Sequence, residues 1–327
     1  EMHMSSQSLV SSETTLLRKT AVARRRRNWS KITATYLLLL PGLVYLFFNN
    51  YLPMVGIVMA FKRIDFRLGI FGSPWNGLEN FRFLFASGDA WIITRNTILY
   101  NVVFIVLGIV VGVSLAILMF ELHEQKIARV YQTLILLPML MSWVVVSYLV
   151  FALLSTETGF INKTILPLLG VNQPIAFYQE PKYWPFILVL ANMWKGIGFG
   201  IIVYLSSILS INPEYFDAAK VDGASKWQQI RHITLPSLKP VVIIMVILNM
   251  SRMFYSDFGL FYQLPRNSGL LYDVTQTIDV YVYNALMTQN NFGMSAAAGL
   301  YQSIVGFILV IAANAAIKKI SPEHALF

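Results

Sequence analysis

The sequence predicts an all-α integral membrane protein with six transmembrane helices. Of its 327 residues, 56% are hydrophobic and only 13% are charged, whereas ordinary soluble domains carry roughly 25% charged residues. A helix that spans the hydrocarbon core needs ~20 mostly apolar residues. The apolar segments that meet this length are 34–61, 95–120, 130–154, 184–211, 238–263 and 295–317.

Residues 1–33 are predicted to form a cytoplasmic tail with a basic anchor. The run Arg24–Arg27 lies just before the first apolar segment, where positive residues are typical of the cytoplasmic side. We therefore attribute the net charge of +9 to the membrane surface, with no nucleic acid as a partner. The first apolar segment is too long for a secretory signal and lacks a cleavage site of small residues, so we expect it to be a span.

The distribution of Lys and Arg predicts the orientation. Fifteen of these residues lie in the two tails and in the stretches 121–129 and 212–239, and eight lie in the other three loops. Because positive residues favour the cytoplasm, we expect both termini there, with a membrane domain at 34–317 and a short C-terminal tail at 318–327. The loops expected outside are 62–95, 155–183 and 264–294.

Two of the outer loops are more apolar than plain linkers. Residues 155–183 place short apolar runs between Gly and Pro residues, and this pattern predicts short helices on the outer membrane face. Residues 264–294 mix Tyr and Phe with Asn and Gln. We expect these loops to form a docking surface for an extracytoplasmic protein.

The fourth loop, 212–237, is called the polar loop below. Asn212, followed by a proline, is a suitable N-cap, and Gly223 is expected to end the helix that follows. Ser225 and Gln228 form a capping-box pattern for a second helix. The sequence therefore predicts two short helices that are hinged at a glycine.

The polar loop also has residues suited to binding a partner protein. Ala218 and Ala219 would allow the backbone of a partner to approach closely, while Phe216 and Trp227 would be apolar anchors. The alternative, a solvated helical hairpin, leaves two large aromatic residues in a polar loop without an explanation.

One long spaced pattern, D-A-A-x3-G-x9-I-x-L-P, runs through the polar loop to Pro236, which with Pro240 is expected to bracket the start of the next span. The pattern is similar at every spacing to the E-A-A-x3-G-x9-I-x-L-P motif of ABC-importer permeases, and Asp217 in place of Glu is the one departure. Other segments resemble the carbohydrate-importer permeases of the polysaccharide type. They are LLLPGLVYLFFNNYLPMVGIVMAFKRID, GSPWNGLENFRFLF, RNTILYNVVFIV and QTLILLPMLMSWVVV.

The resemblance implies a type I ABC-importer permease fold in a bacterial inner membrane. It implies a transmembrane permease subunit of an ATP-driven, binding-protein-dependent importer of oligosaccharides, which works by alternating access. The polar loop would then contact a separate ATPase. The residues expected at this contact are Phe216, Asp217, Ala218, Ala219, Asp222, Gly223, Ile233, Leu235 and Pro236.

The partners follow from the same resemblance. The chain has no G-x-x-x-x-G-K-[ST] phosphate loop, so we expect no cofactor and no enzymatic activity here, with ATP and Mg bound by the partner ATPase. The expected assembly contains a second permease subunit as a heterodimer, two ATP-binding subunits and an extracytoplasmic solute-binding protein. Membrane lipid surrounds it, and an oligosaccharide is the cargo.

Two basic residues, Lys195 and Arg252, fall within predicted spans at a depth of ~17–20 Å. A charge at that depth is costly and is usually functional or paired. The functional interpretation is that both line the path of an acidic, alginate-type uronate oligosaccharide. The neighbouring residues expected to supply stacking and hydrogen-bonding groups are Trp194, Asn249, Tyr255 and Ser256.

Two helical details accompany this hypothesis. Asn249, Arg252 and Ser256 have the spacing of one helix face, and Gly196 with Gly198 is expected to loosen the fourth span. The alternative for Arg252 is pairing with Asp257 or with backbone carbonyl groups.

Other functions are also considered. Neutral oligosaccharides are the alternative cargo. A secondary transporter is less favoured because the spans show no matching halves, and a membrane enzyme on lipid-linked sugar would need a clustered set of acidic residues. The chain has no cysteine, and its four histidines have no metal-ligand spacing.

Overall fold

The computed structural model describes residues 32–122 and 125–320. The basic run Arg24–Arg27 and residues 321–327 lie outside the described residues. Within the described part the chain is helical, and its extended pairing is an isolated bridge between Lys62 and Trp75. The all-α prediction is therefore confirmed. The chain divides into two compact units, Glu1–Val58 and Met59–Phe327.

The first described helix, α1, covers Ile32–Phe61. Its winding changes along its length, with a π-helical turn at Phe47–Tyr51 and a 3₁₀ stretch at Leu52–Phe61. Pro53 lies at the start of the tighter stretch, and a proline cannot donate the backbone hydrogen bond that a regular α-helix needs at that position. Large apolar side chains along α1 are exposed, as expected of a helix that faces lipid.

The helices that organise the second unit are α2 (Glu79–Ala86), α3 (Asp89–Phe120), α4 (Lys126–Leu140), α5 (Trp143–Leu154), α6 (Pro181–Leu209), α7 (Pro213–Val221), α8 (Lys226–Met250), α9 (Ile278–Met287) and α10 (Phe292–Ile320). Shorter helical turns occur at Gly69–Gly72, Ile161–Ile165, Leu166–Leu168, Phe177–Gln179, Gly259–Gln263, Gly269–Leu271 and Tyr272–Thr275. The short helices predicted in 155–183 are therefore present.

Among the described residues, α1, α3, α6, α8 and α10 are long and apolar enough to cross a membrane. A sixth span requires α4 and α5 together, and these helices meet at a bend of 98°. The prediction of one continuous helix at 130–154 is therefore wrong. The break follows a 3₁₀ turn that contains Pro138, and Ser142 then caps α5 by accepting a hydrogen bond from the Val145 N–H.

The predicted fifth span, 238–263, is wrong at its C-terminal end, because α8 ends at Met250. The helix itself begins earlier, at Lys226, so that Pro236 and Pro240 lie inside α8. A π-helical turn at Ile230–Thr234 ends two residues before the first proline. The wider turn relieves the clash that a proline ring makes with the preceding carbonyl groups.

The core lies where α3 packs along α6. Near one end, Val113 and Ala116 meet Ile201 and Tyr204, and near the other end Tyr100 packs with residues of α5 and α6. A separate apolar cluster joins α2, α9 and α10 to the start of α3. These contacts hold α3 and α6 together as the centre of the unit.

Gly198 lies at a close approach of α6 to α4. A Cβ atom there would be 2.8 Å from the backbone oxygen of Ile135, and small residues are what allow membrane helices to approach so closely. The helix continues through both Gly196 and Gly198. The prediction that these glycines loosen the span is therefore wrong.

Candidate functional site

A cavity of about 520 Å³, the central cavity, lies between α3, α6 and α8. Its polar lining comes from Asn101, Asn192, Asn249, Arg252, Tyr255, Ser256 and Asp257, and aromatic residues such as Phe104 and Phe261 complete it. The structure thus brings together four of the six residues that the sequence assigned to a substrate path. Amide, hydroxyl and guanidinium groups beside aromatic rings can bind a sugar by hydrogen bonding and stacking.

Residues 249–257, called the cavity segment, are not one helix face. The helix ends at Met250, residues 251–254 form turns, and residues 255–257 have no regular secondary structure. The prediction that Asn249, Arg252 and Ser256 share a helical face is therefore wrong. They line the same cavity because the chain unwinds there.

Hydrogen bonds from three other elements hold the unwound chain in place. The Asn101 side chain on α3 donates to the Tyr255 carbonyl at 2.9 Å. The Asp279 carboxylate on α9 accepts from the Ser256 N–H at 2.6 Å and from its hydroxyl at 2.7 Å. Gln302 on α10 donates to the Phe254 carbonyl and to Asp279, each at 3.1 Å. Backbone groups freed from the helix are therefore satisfied, as membrane depth requires.

Arg252 and Asp257 both line the central cavity, but they do not pair. None of the ion pairs formed by the described residues includes Arg252. The Asp257 carboxylate accepts from the Trp143 indole N–H at 2.6 Å and from the Leu260 N–H at 3.2 Å. Arg252 is exposed rather than buried and lines the cavity, so it is accessible to a ligand there.

Lys195 and Trp194 do not line the central cavity. The Lys195 ammonium group donates to the Met139 carbonyl at 3.2 Å and lies 5.1 Å from the centre of the Trp143 ring. These partners are at the bend between α4 and α5. Because Met193 and Gly196 occupy the cavity face of α6, residues between them point elsewhere around the helix. Lys195 and Trp194 therefore do not share the central cavity with Arg252, and their place on a substrate path stays a prediction.

The polar loop has the predicted caps and glycine hinge, but its second helix is not short, because it continues as α8 to Met250. The Asn212 side chain caps α7 by accepting from the Glu214 N–H, and Gly223 has a φ of +76°. The Ser225 and Gln228 side chains complete a capping box at the start of α8. Because φ near +76° is unfavourable for a residue with a Cβ atom, the hinge needs glycine.

The faces of α7 differ in exposure. Phe216 is half-buried, with its ring centre 5.6 Å from that of Phe120, and its role as an anchor for a partner stays a prediction. The large residues that are exposed instead are Tyr215, Val221 and Trp227. Ala218 and Asp222 are also exposed, and Ala219 is half-buried.

Three charged residues of the polar loop form ion pairs. Asp217 forms an ion pair with Lys220 at 2.8 Å, and Lys226 forms one with Glu121 at 2.6 Å. The second pair connects the start of α8 to the end of α3. Further along α8, Ile233 is half-buried, whereas Leu235 and Pro236 are exposed.

The sequence analysis missed Asn101, Asn192, Asp279 and Gln302. Three of these are polar residues inside long apolar helices, which is a signal that marks functional or structural sites in membranes. Asp279 carried no such signal because it lies in a predicted loop. Among residues 32–122 and 125–320, no group of acidic or histidine residues could hold a metal ion.

Sequence comparison relates this chain to known proteins. The family model described as "Binding-protein-dependent transport system inner membrane component" matches residues 105–322. The chain is 35% identical over 288 residues to the polygalacturonan/rhamnogalacturonan transport system permease protein YteP of Bacillus subtilis (strain 168). The alignment covers 88% of each chain. It is 34% identical to Protein LplB of the same organism, in an alignment that covers 92% of each chain.

Structure comparison gives a similar result. A crystal structure of a bacterial ABC transporter involved in the import of the acidic polysaccharide alginate matches with a TM-score of 0.80 at 30% identity. The match covers 90% of this chain and 99% of the other. A second structure, of bacterial alginate ABC transporter in complex with alginate pentasaccharide-bound periplasmic protein, also matches with a TM-score of 0.80, at 28% identity.

Proposed function

Because the chain belongs to the family of binding-protein-dependent transport system inner membrane components, a family of transport permeases rather than enzymes, we propose that it moves acidic oligosaccharides across a bacterial inner membrane. The observation that carries this proposal is the central cavity, in which Arg252 lies on an unwound segment among hydrogen-bonding and aromatic groups.

The acidic character of the cargo rests on two observations. Arg252 is exposed at the cavity and has no acidic partner among the described residues, and a guanidinium group binds a carboxylate with a pair of hydrogen bonds. The similar proteins include permeases of polygalacturonan and alginate transporters, and both of those polymers carry carboxylates. An arginine in the cavity would hold a uronate more strongly than a neutral sugar.

The polar loop is proposed to couple transport to ATP hydrolysis in a separate subunit. Tyr215, Val221 and Trp227 are exposed around small and acidic residues of α7, and such a surface suits a cleft in another protein. The helix α8 begins in the polar loop and ends at the cavity segment. ATP-driven closure of the partner would therefore act on the cavity through one continuous helix and switch it between inward-open and outward-open states.

The assembly proposed around this chain has a second permease subunit, two ATP-binding subunits with ATP and Mg, and an extracytoplasmic solute-binding protein. Both termini and the polar loop would then lie in the cytoplasm. The loops 155–183 and 264–294 would face the solute-binding protein on the opposite side. Hydrogen bonding between Ser268 and the Tyr178 carbonyl brings those two loops together.

Neutral oligosaccharides are the second candidate cargo, because one observation favours them. Asp257 lines the same cavity as Arg252, so the two charges of opposite sign reduce the net attraction for a carboxylate. Asp257 is, however, already bonded to the Trp143 indole, whereas Arg252 is not engaged by an acidic group.

The test is uptake by the complete complex in proteoliposomes with its solute-binding protein. A hexuronate trimer should be imported with ATP hydrolysis, and its carboxyl-reduced neutral counterpart should be imported more slowly. Equal uptake of both trimers would contradict the acidic preference. Absence of ATP-driven uptake for both would contradict the oligosaccharide function itself.

A further inference from the structure

A second, smaller pocket lies beyond the central cavity and is called the outer pocket. It has a volume of about 220 Å³ and is lined by Val144, Ser147, Tyr148, Tyr262, Gln263, Arg266 and Asn267. Pockets for drug-sized ligands have volumes of roughly 300–1,000 Å³. The outer pocket is therefore of a size for one sugar unit rather than for an oligosaccharide.

Arg266 is the charged residue of the outer pocket. Its guanidinium carbon lies 4.3 Å from the centre of the Phe151 ring and 5.9 Å from that of Tyr148. An aromatic platform of this kind orients a guanidinium group without neutralising its charge. No ion pair within the described residues includes Arg266, so the charge is available to an anion.

The backbone at this point is held in an uncommon conformation. Arg266 and Asn267 have φ values of +55° and +48°, and two successive non-glycine residues in the left-handed region require support from their surroundings. The Asn267 and Asn284 side chains exchange hydrogen bonds at 3.1 and 3.0 Å, and the Tyr272 hydroxyl donates to Asn267 at 3.1 Å. This network fixes the direction in which Arg266 leaves the chain.

A buried hydroxyl group lies behind the same platform. The Tyr178 ring packs on Phe151 at 5.5 Å, and its hydroxyl has no hydrogen-bond partner among the described residues. Burial raises the pKa of Tyr178 to about 12, and the nearby positive charge of Arg266 opposes that rise. Arg266 therefore lies near this buried hydroxyl group, behind the aromatic platform.

The turn Gly259–Gln263 contributes residues to both the outer pocket and the central cavity. Phe261 of this turn lines the central cavity, whereas Tyr262 and Gln263 line the outer pocket. The α5 helix makes a second connection, because Trp143 bonds to Asp257 and the next turn of α5 supplies Ser147 and Tyr148. The two sites are therefore neighbours that the same two elements hold.

We propose that the outer pocket is a subsite for a single hexuronate unit, in which Arg266 binds the carboxylate and the rings of Tyr148 and Tyr262 contact the faces of the sugar. This inference rests on the proposed function and adds a selective step before the central cavity. Acidic cargo would be favoured over neutral cargo at the outer pocket as well as at Arg252.

The decisive variant is Arg266→Gln in the complete complex, with saturating solute-binding protein loaded with the hexuronate trimer or with its carboxyl-reduced counterpart. The measured quantity is the ratio of maximal uptake rates, acidic over neutral, which a general loss of folding does not change. We expect the ratio to fall about tenfold, as for the loss of a hydrogen bond to a charged group, and to be largely restored in Arg266→Lys.

Two further variants make the experiment specific. Lys182→Gln removes another exposed cation, which is paired with Glu180 outside the pocket, and should leave the ratio unchanged. Gln263→Glu adds a carboxylate of the same shape to the pocket and should lower the ratio even if Arg266→Gln does not assemble.

The outcomes separate this inference from the proposed function. If the unaltered complex prefers the acidic trimer but both Arg266→Gln and Gln263→Glu keep its ratio, the outer pocket is not a uronate subsite. The same conclusion follows if both trimers slow equally. If the unaltered complex imports neither trimer, the proposed function fails first.

Discussion

The polar loop and the cavity segment are both departures from a plain membrane helix, but they arise in different ways. In the polar loop, each turn and cap has a local cause, such as the Asn212 cap and the φ of +76° at Gly223. In the cavity segment, the break after Met250 is stabilised by Asn101, Asp279 and Gln302, which lie far away in the sequence.

The difference indicates where each region is vulnerable. A region specified by its own residues should fail when one local residue changes, whereas a region held by distant side chains should weaken gradually as single contacts are lost. The two regions are joined by α8. Substitutions at its two ends therefore test coupling and cargo binding separately.

The largest effect is expected for Gly223→Pro. Proline requires a φ near −65°, which is incompatible with the observed +76°, and it removes the hydrogen bond from the Gly223 N–H to the Lys220 carbonyl. ATP-driven uptake in proteoliposomes should fall to background, with loss of the ATPase subunit or of stimulated hydrolysis.

A matched control exists at Gly170, which has a φ of +79° and donates from its N–H to the Pro167 carbonyl. Gly170→Pro introduces the same strain outside the polar loop and should keep the ATPase subunit bound. Normal ATP-driven uptake by Gly223→Pro would refute the coupling role of the polar loop.

The next effect is expected for Arg252→Ala. A hydrogen bond to a charged group contributes about 1.5–3 kcal/mol, so uptake of the hexuronate trimer should fall about tenfold or more, with lower substrate-stimulated ATP hydrolysis and intact assembly. Neutral-trimer uptake should change less. Lys195→Ala is the comparison, because Lys195 binds the Met139 carbonyl outside the cavity and should not alter the preference for acidic cargo. A loss of that preference in Lys195→Ala but not in Arg252→Ala would reverse the assignment.

A smaller effect is expected for Asp279→Asn. The Asn side chain keeps the shape but weakens the hydrogen bonds to Ser256 and Gln302, at a cost of about 1–2 kcal/mol. The midpoint of thermal unfolding should drop by a few degrees, and uptake of both trimers should fall together. Asp273→Asn changes an exposed carboxylate on a neighbouring segment and should shift neither quantity. An unchanged midpoint for Asp279→Asn would show that the cavity segment is not held by this carboxylate.

The smallest effect is expected for the ion pair between Lys226 and Glu121, whose side chains are 60% and 30% exposed. Exposed pairs contribute about 0.2–1 kcal/mol. A double-mutant cycle of Lys226→Ala and Glu121→Ala on thermal stability should give a coupling energy in this range. A much larger value would mean that the pair, rather than Gly223, controls the position of the polar loop.

The sequence was most informative where structure follows from local chemistry. Apolar length predicted the spans, and the caps at Asn212 and Ser225 predicted both helices of the polar loop. The continuous helices predicted at 130–154 and 238–263 were wrong, and both errors have one cause. Apolar composition shows that a segment lies in the membrane but does not show where tertiary contacts interrupt it.

The candidate site was predicted in part. Asn249, Arg252, Tyr255 and Ser256 do meet at the central cavity, although the helical face used to group them does not exist. Lys195 has the same charge and a similar predicted depth as Arg252, and only its direction around α6 separates it from the cavity. That direction depends on how α6 packs against α3 and α4, which a single sequence does not contain.

The continuity of α8 through two prolines has a mechanical consequence. A helix of 25 residues is ~37 Å long at 1.5 Å per residue, so a tilt of about 10° about one end would displace the other by ~6 Å, roughly one helical turn. A helix that transmits such a tilt must be stiff along its length. The π-helical turn at Ile230–Thr234 accommodates the prolines without a break in the helix.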